Sequence, residues 1–154
     1  MFSKSCKYAI KAMVYIANQS LDGNRVKVGE VAENSELPKA FTAKLLGILS
    51  KADLIHSQTG PNGGFFVEID KVNKIKLSEI IQLMDGDSVF NGCGLGLKQC
   101  DAKNPCPMHH YFVKIRAELK YMLETTSIYD LAMKLKTGES VLIREIFLEK
   151  STNE

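Results

Sequence analysis

Three of the four cysteines of the chain lie within fourteen residues, and two histidines follow them. The stretch reads CGLGLKQCDAKNPCPMHH over residues 93–110. Cys93, Cys100, Cys106 and His109 are separated by six, five and two residues. In a reducing compartment, clustered cysteine and histidine side chains indicate metal or redox chemistry. Paired C-x-x-C knuckles typical of zinc sites are missing, whereas thiolates spread along a glycine-rich loop can hold an iron–sulfur cluster, for which histidine is an accepted fourth ligand.

The fourth position and the state of the thiols leave alternatives open. Cys106 lies at the predicted start of a long helix, where the helix dipole would favour its thiolate. His109 follows three residues later and is expected on the same helical face, with His110 as the rival ligand. The alternative hypothesis is a cluster-free loop of thiols that binds zinc on three cysteines and one histidine, or senses oxidants or small molecules.

Composition places these residues in an ordinary folded chain of 154 residues, 45% hydrophobic and 25% charged. No apolar run approaches the roughly 20 residues of a membrane helix, and the start of the chain lacks a secretory signal, so we expect a cytoplasmic protein. Residues 1–77 carry a net charge of +4 and residues 78–154 a net charge of −2. A basic first half is typical of a part that faces nucleic acid.

The elements that would position the cysteines begin with a winged helix. Apolar periodicity predicts a helix over residues 3–19, a β-like segment over 25–28, a short helix over 29–34 and a helix that starts near Pro38. Two strands around GPNGG (residues 60–64) follow and predict a β-hairpin wing. We therefore expect a mainly α fold with a small β-hairpin wing, in which residues 1–77 form a winged helix-turn-helix DNA-binding domain.

The second half is expected to carry the sensor and the dimer contact. Residues 78–106 are interpreted as a connecting helix, capped by Ser78, and a long cysteine-containing loop. Residues 107–154 are interpreted as a dimerisation helix, over 107–124, followed by two C-terminal helices that begin after Ser127 and at Ser140. The apolar stripe of the long helix needs a partner, and a second copy of the chain is the simplest one.

Together these segments resemble the IscR/NsrR family of bacterial winged-helix regulators. The resemblance rests on SKSCKYAIKAMVYIA, VGEVAENSELPKAFTAKLLGILSKADLI, TGPNGGFFV and the three-cysteine loop, and it spans about residues 3–135. It implies a homodimer that binds a pseudo-palindromic operator in double-stranded DNA. It also implies a cluster on Cys93, Cys100, Cys106 and His109, with 2Fe-2S favoured and 4Fe-4S possible. The state of this cluster would change DNA affinity in response to iron–sulfur supply, nitric oxide or oxidants.

The sequence departs from this family at three points. The first cysteine gap is six residues, where IscR has five. NsrR-type proteins can recruit a fourth ligand from the first helix of the other subunit, where this chain has Lys7, which cannot ligate as an ammonium. The neighbouring Cys6 could substitute, but we interpret it as a buried small hydrophobe or an idle thiol. Thr59 replaces an arginine that enters the minor groove in IscR-type wings, so we expect weaker wing binding.

DNA contacts are expected from three places, and no catalysis is expected. The start of the recognition helix should face the major groove, the start of the first helix the phosphates, and the wing the minor groove. The candidate DNA-binding residues are Ser3, Lys4, Ser5, Tyr8, Lys39, Thr42, Ala43, Lys44, Thr59, Pro61 and Asn62. The sequence lacks a nucleotide-binding glycine motif and a nucleophile–base pair, so an enzyme is not predicted.

Overall fold

The computed structural model describes residues 1–144 and confirms a mainly helical fold with one antiparallel hairpin. The described elements are α1 (Lys4–Leu21), α2 (Val28–Ser35), α3 (Lys39–Lys51), β1 (His56–Gln58), β2 (Gly64–Phe66), α4 (Leu77–Asp85), α5 (Ser88–Asn91), α6 (His109–Thr125) and α7 (Ile128–Lys136).

Helix α1 lies at the centre of the fold. Its alanines and aliphatic residues recur at helical spacing, so that one side of the helix is almost completely buried, including Met13, Ile16 and Ala17. Helices α2, α4 and α7 pack around it. The buried side of α1 therefore forms the centre of the hydrophobic core.

Helices α2 and α3 form the helix-turn-helix. The turn between them passes through Glu36 in the left-handed conformation, with φ 51°, and the Leu37 N–H donates to the carbonyl of Ala32. Helix α3 starts directly after Pro38, whose ring presets the backbone angle. Leu45, Leu46 and Leu49 are fully buried below the helix, and burial of each contributes about 2 kcal/mol.

The wing is shorter than predicted and is attached to the preceding segment. Strands β1 and β2 pair from His56 with Phe66 to Gln58 with Gly64. The segment expected to be β-like over 25–28 contributes only Val26, which forms an isolated bridge with Phe65. A side chain at Gly64 would meet the Val26 carbonyl oxygen at 2.7 Å, so this close approach requires glycine.

Two features of the second half differ from the prediction. Helix α4 starts at Leu77, and its N-cap is Lys76, two residues before the predicted cap Ser78. The Lys76 N–H donates to the Glu79 carboxylate at 2.9 Å, and Ser78 is inside the helix. The expected loop contains the short helix α5. The last predicted helix, over residues 140–149, lies largely outside the described residues.

Helix α7 returns to the core beside α1. The Ser127 hydroxyl accepts from the Asp130 N–H, which confirms its predicted role as N-cap. Ile128 and Ala132 are fully buried, and Ser127 bridges to Lys76. The segment after α6 thus packs against the first half of the chain. None of the helices in residues 1–144 is both long and apolar enough to span a bilayer.

Candidate metal centre and nucleic-acid interface

The four predicted ligands form two pairs. The Sγ atoms of Cys93 and Cys106 lie 3.6 Å apart, and the Cys100 Sγ lies 3.3 Å from the His109 Nδ1. Over residues 1–144, no three His, Cys, Asp or Glu side chains come together around one point as ligands of a single ion would. The loop and α6 thus bring all four predicted residues into one region as two separate two-ligand sets.

His109, and not His110, faces the loop. His109 begins α6 and is buried, with 9% of its surface exposed, while His110 is exposed and meets His109 edge-on. Cys106 lies two residues before the N-cap of α6. The N-cap is Met108, and the carbonyl of Cys106 accepts from the His109 N–H at 3.0 Å. His109 pairs with Cys100, and Cys106 pairs with Cys93.

Two contacts with α6 fix the backbone on either side of Cys93. The Arg116 Nη1 donates to the carbonyl of Gly92 at 2.6 Å. A Cβ at Gly94 would lie 2.9 Å from the ring of Phe112, so the loop backbone rests directly on that ring. Phe112 and Arg116 are four residues apart, hence on one face of α6. Sequence reasoning identified the glycines but missed Arg116, because a lone arginine on an amphipathic helix carries no signal.

A glycine-rich turn follows Cys93 and affects its pKa. The N–H groups of Leu97 and Leu95 make the largest contributions to the lowered pKa of the Cys93 thiol, and the nearby Cys106 also lowers it. Hydrogen bonds to a thiolate favour the charged form, which is the form that ligates a metal. The backbone of the glycine-rich turn therefore favours the thiolate form of Cys93, in addition to allowing the loop its path.

A small turn sets the path between the second and third loop cysteines. Asp101 accepts from the Lys103 N–H at 2.8 Å and from the Asn104 side-chain amide at 3.1 Å. These bonds, with that from Asn104 the largest contributor, hold the pKa of Asp101 below its usual range. Because an ionised Asp101 closes the turn locally, Cys100 and Cys106 can be directed at different partners.

Cys6 lies in the core and belongs to neither pair. It is fully buried in α1, and burial, with a smaller contribution from Asp85, raises its pKa to about 12. A thiol that stays protonated at neutral pH is a poor metal ligand. This placement agrees with the interpretation of Cys6 as a buried small side chain.

The start of α3 presents a basic, small-residue surface. Lys39, Ala43 and Lys44 are exposed, as a helix that enters the major groove requires. Thr42 is a correction to the predicted set. It is fully buried, and its hydroxyl donates to the carbonyl of Pro38 at 2.8 Å, so the side chain stabilises the first turn instead of facing outward.

At the start of α1, the expected phosphate contacts are partly engaged within the chain. Ser3 caps the helix by accepting from the Cys6 N–H, and both its N–H and its hydroxyl donate to Asp85 at the end of α4. Lys4 and Ser5 are exposed and half-buried, respectively. A carboxylate beside Ser3 disfavours a phosphate at that residue.

Tyr8 connects the first helix to the recognition helix. Its ring packs on that of Phe41, with centroids 5.6 Å apart, and the Lys4 Nζ lies 5.8 Å from its centre. Tyr8 is half-buried in this position. Its packing therefore orients α1 against α3, and the exposed cation of Lys4 remains available for a phosphate.

The wing tip gains a cation that its own sequence lacks. Thr59, Pro61 and Asn62 are exposed as predicted. The Nζ of Lys27, from the start of α2, donates to the carbonyl of Gly60 in the wing turn at 3.3 Å. Sequence reasoning missed Lys27, because thirty-three residues separate it from the glycine.

Comparison with known proteins identifies this arrangement. The sequence model of the Rrf2 family, described as an iron-dependent transcriptional regulator, matches residues 2–134. The chain belongs to the Rrf2 family. A protein of Aquifex aeolicus named as an HTH-type transcriptional regulator is 34% identical over 134 residues, which cover 85% of this chain and 90% of that protein. The IscR regulator of Xenorhabdus nematophila is 25% identical over 125 residues, 81% of this chain and 74% of the relative.

Solved Rrf2-type structures share the fold. The IscR of T. potens superposes with a TM-score of 0.69 at 20% identity and covers 92% of both chains. CymR, the global cysteine regulator of B. subtilis, gives a TM-score of 0.68 at 20% identity over 86% of this chain and 96% of its own. The prediction of a winged-helix regulator is thus confirmed, and the chain is a transcriptional regulator of a DNA-binding family rather than an enzyme.

Proposed function

We propose that this Rrf2 protein controls transcription through an iron–sulfur cluster held by Cys93, Cys100, Cys106 and His109, and that the cluster is of the 2Fe-2S type. The observation that carries the proposal is the division of the four side chains into two pairs. Each iron of a 2Fe-2S cluster takes two protein ligands, so two pairs fit a dinuclear group better than one zinc ion, which needs four ligands around one point.

The residues of the chain also suit this group chemically. A bound cluster would supply a centre that reacts with oxidants and nitric oxide. Its presence would also depend on the supply of iron. The backbone N–H groups of Leu97 and Leu95 lower the pKa of Cys93, which favours its thiolate form. The Nδ1 of His109 faces Cys100, and Arg116 and Phe112 hold the Cys93 segment on α6. Occupancy of the site would therefore order the loop against α6 and bias the position of that helix.

The proposal includes a homodimer formed along α6. Three large side chains of this helix, Tyr111, Ile115 and Met122, share one face and are 79%, 63% and 46% exposed. An apolar face of this kind is typical of an interface between subunits. Two copies of one chain place two recognition helices on a pseudo-palindromic operator, and a shift of α6 would change the spacing between those helices.

We assign DNA binding to the predicted residues other than the buried Thr42. Lys39, Ala43 and Lys44 are proposed to face the major groove, and Lys4 to contact a phosphate. The wing residues Thr59, Pro61 and Asn62 are proposed to face the minor groove, with the cation of Lys27 beside them. Ser5 is proposed to support the phosphate contact of Lys4, and Ser3 and Tyr8, which are engaged within the chain, to position the start of α1 for it.

The test is anaerobic purification of the full chain, followed by visible absorption and assays of iron, zinc and sulfide per chain. The proposal expects sulfur-to-iron charge-transfer bands, with two irons and two sulfides per chain. His109→Ala should lower the iron content or shift the bands, and His110→Ala is the matched control that should change neither. Operator fragments selected from random duplexes should then bind the loaded and the cluster-free dimer with different affinity.

The other outcomes of these measurements would distinguish a zinc site, a larger cluster and a cluster that does not affect DNA binding. A colourless protein with stoichiometric zinc would overturn the cluster and leave a zinc-dependent regulator. Four irons and four sulfides per chain would retain the sensor but reject the 2Fe-2S assignment. Equal affinity of the loaded and cluster-free forms for the selected DNA would reject gating.

A further inference from the structure

We propose that the cluster-free protein has a second redox reaction: hydrogen peroxide closes a reversible disulfide between Cys93 and Cys106 and leaves Cys100 free. The inference goes beyond the cluster, because it concerns the chain without any metal. It rests on the proposed regulator only for its consequence, since a closed pair withholds two of the four ligands from cluster assembly.

The distance and the surroundings of the two sulfurs carry this proposal. Their separation of 3.6 Å must shorten to about 2.05 Å for a bond, a movement of about 1.5 Å. Both side chains are partly exposed, so peroxide can reach either sulfur. Cys6 is buried, and Cys100 faces the ring of His109. The fold thus selects one of three possible pairings within the loop.

Both cysteines are attached to the same end of one helix. Cys93 lies between Gly92, which accepts from Arg116, and Gly94, which rests on Phe112. The carbonyl of Cys106 accepts from the N–H of His109, the first residue of α6. These attachments hold the two sulfurs near each other without a metal between them. The bond would then close a thirteen-residue step along the chain with little movement of the helix.

Hydrogen peroxide is the oxidant, and the disulfide forms in two steps. The thiolate of one cysteine attacks a peroxide oxygen, the O–O bond breaks, hydroxide leaves, and the sulfur becomes a sulfenic acid. The sulfur of the second cysteine then attacks this sulfenic sulfur. The S–S bond forms as the S–O bond breaks, and the oxygen leaves as water with the thiol proton. Two electrons pass in total from the two sulfurs to one peroxide, and a dithiol reductant reverses the bond by exchange.

Tryptic mapping tests the pairing directly, because Lys98 and Lys103 separate the three loop cysteines into different peptides. The cluster-free full chain is treated with peroxide, its free thiols are alkylated, and it is digested without reduction. We expect peptide 77–98 joined to peptide 104–114, an intact mass lower by two hydrogen atoms, and an alkylated Cys100. Dithiothreitol should restore the starting mass.

Two controls separate folded geometry from chance. In urea, the shorter loops of Cys93–Cys100 and Cys100–Cys106 should outcompete the longer one, so the folded and unfolded chains should give different products. Cys100→Ser should retain the folded product and Cys93→Ser should abolish it. Cross-links that include Cys100 in the folded chain, bonds between two chains, or sulfinic acid without a disulfide would each overturn the proposal.

The same experiment distinguishes this inference from the proposed function. A chain that never binds iron would still form the predicted cross-link, which would leave the disulfide standing and the cluster rejected. A chain that loads a cluster but gives no Cys93–Cys106 product after cluster removal would retain the sensor and reject the disulfide. If both hold, the oxidised chain should accept no cluster until it is reduced.

Discussion

Arg116 on helix α6 donates a hydrogen bond of 2.6 Å to the carbonyl oxygen of Gly92, the residue directly before Cys93. A single side chain thus connects the proposed dimer helix to the backbone of the first cysteine. Because the guanidinium is charged and partly buried, this bond is stronger than an ordinary surface contact. A displacement of the loop is therefore transmitted to α6, and a displacement of α6 to the loop.

Removal of this bond should release the loop. For Arg116→Met we expect a loss of about 1–2 kcal/mol in the free energy of unfolding. We also expect weaker selection of the Cys93–Cys106 product after peroxide. Urea unfolding and tryptic mapping measure the two effects. Lys114→Met is the matched control, since Lys114 is exposed on the same helix and should change neither. An unchanged peptide map would show that Arg116 does not position Cys93.

The contact between Gly94 and Phe112 predicts a steric effect with a specific rescue. Gly94→Ala places a methyl group 2.9 Å from the ring, so the loop must move away from α6. We expect a lower iron content after reconstitution than in the wild type. The double variant Gly94→Ala with Phe112→Leu should recover part of this loss, because the smaller side chain makes room. Failure of the second change to help would assign the defect to something other than this contact.

The start of α7 should respond to acid. The N–H and the hydroxyl of Ser127 lower the pKa of Asp130, so its ionised form stabilises the fold above the unfolded pKa. That contribution is lost as the pH falls through the lowered folded value. Asp130→Asn should reduce the free energy of unfolding by up to about 1 kcal/mol near neutral pH. The difference from the wild type should vanish in strong acid, as followed by urea melts at several pH values. Glu139→Gln, an exposed change beyond the helix, should show no such trend.

Burial of Cys6 predicts an unreactive thiol. With a pKa raised to about 12 the group is protonated at neutral pH, and its side chain is fully buried. Iodoacetamide should therefore modify Cys93 long before Cys6 in the folded chain. Peptide mapping after short alkylation measures both, and urea should make Cys6 reactive. Rapid native labelling of Cys6 would contradict its place in the core. Cys6→Ala should leave iron content unchanged.

Lys27 should contribute to wing binding despite its distance along the chain. Its Nζ lies at the wing turn, 3.3 Å from the Gly60 carbonyl oxygen. If this cation contacts a phosphate, Lys27→Ala should weaken binding to all sequences and reduce the slope of log affinity against log salt by about 1 per subunit. Fluorescence anisotropy over a salt series measures the slope. Lys120→Ala, on α6 beside Glu124, should leave the slope at its wild-type value.

Local patterns in the sequence determined most of the elements. The stripe of α1, the proline at the start of α3, the glycine-rich wing turn and the cap at Ser127 all act within a few residues. Their physical causes are helical spacing, a preset backbone angle and capping of free N–H groups. These causes are local, so the elements can be predicted without a structure. The error at Thr42 has a local cause as well. Thr42 precedes the buried Leu45, Leu46 and Leu49 by three, four and seven residues, so helical spacing already places it on the buried face of α3, and the expectation of an outward side chain was wrong.

The sequence by itself also determined which residue types form the cysteine site, because their clustering needs no knowledge of the fold. Only the tertiary structure decided how they pair. Cys106 and His109 are near neighbours in sequence, yet Cys106 meets Cys93 and His109 meets Cys100. Arg116 and Lys27 likewise act on carbonyl oxygens twenty-four and thirty-three residues away. The physical reason is that hydrogen bonds and ligand contacts depend on distance in space, and that distance is set by how the elements and loops pack against one another.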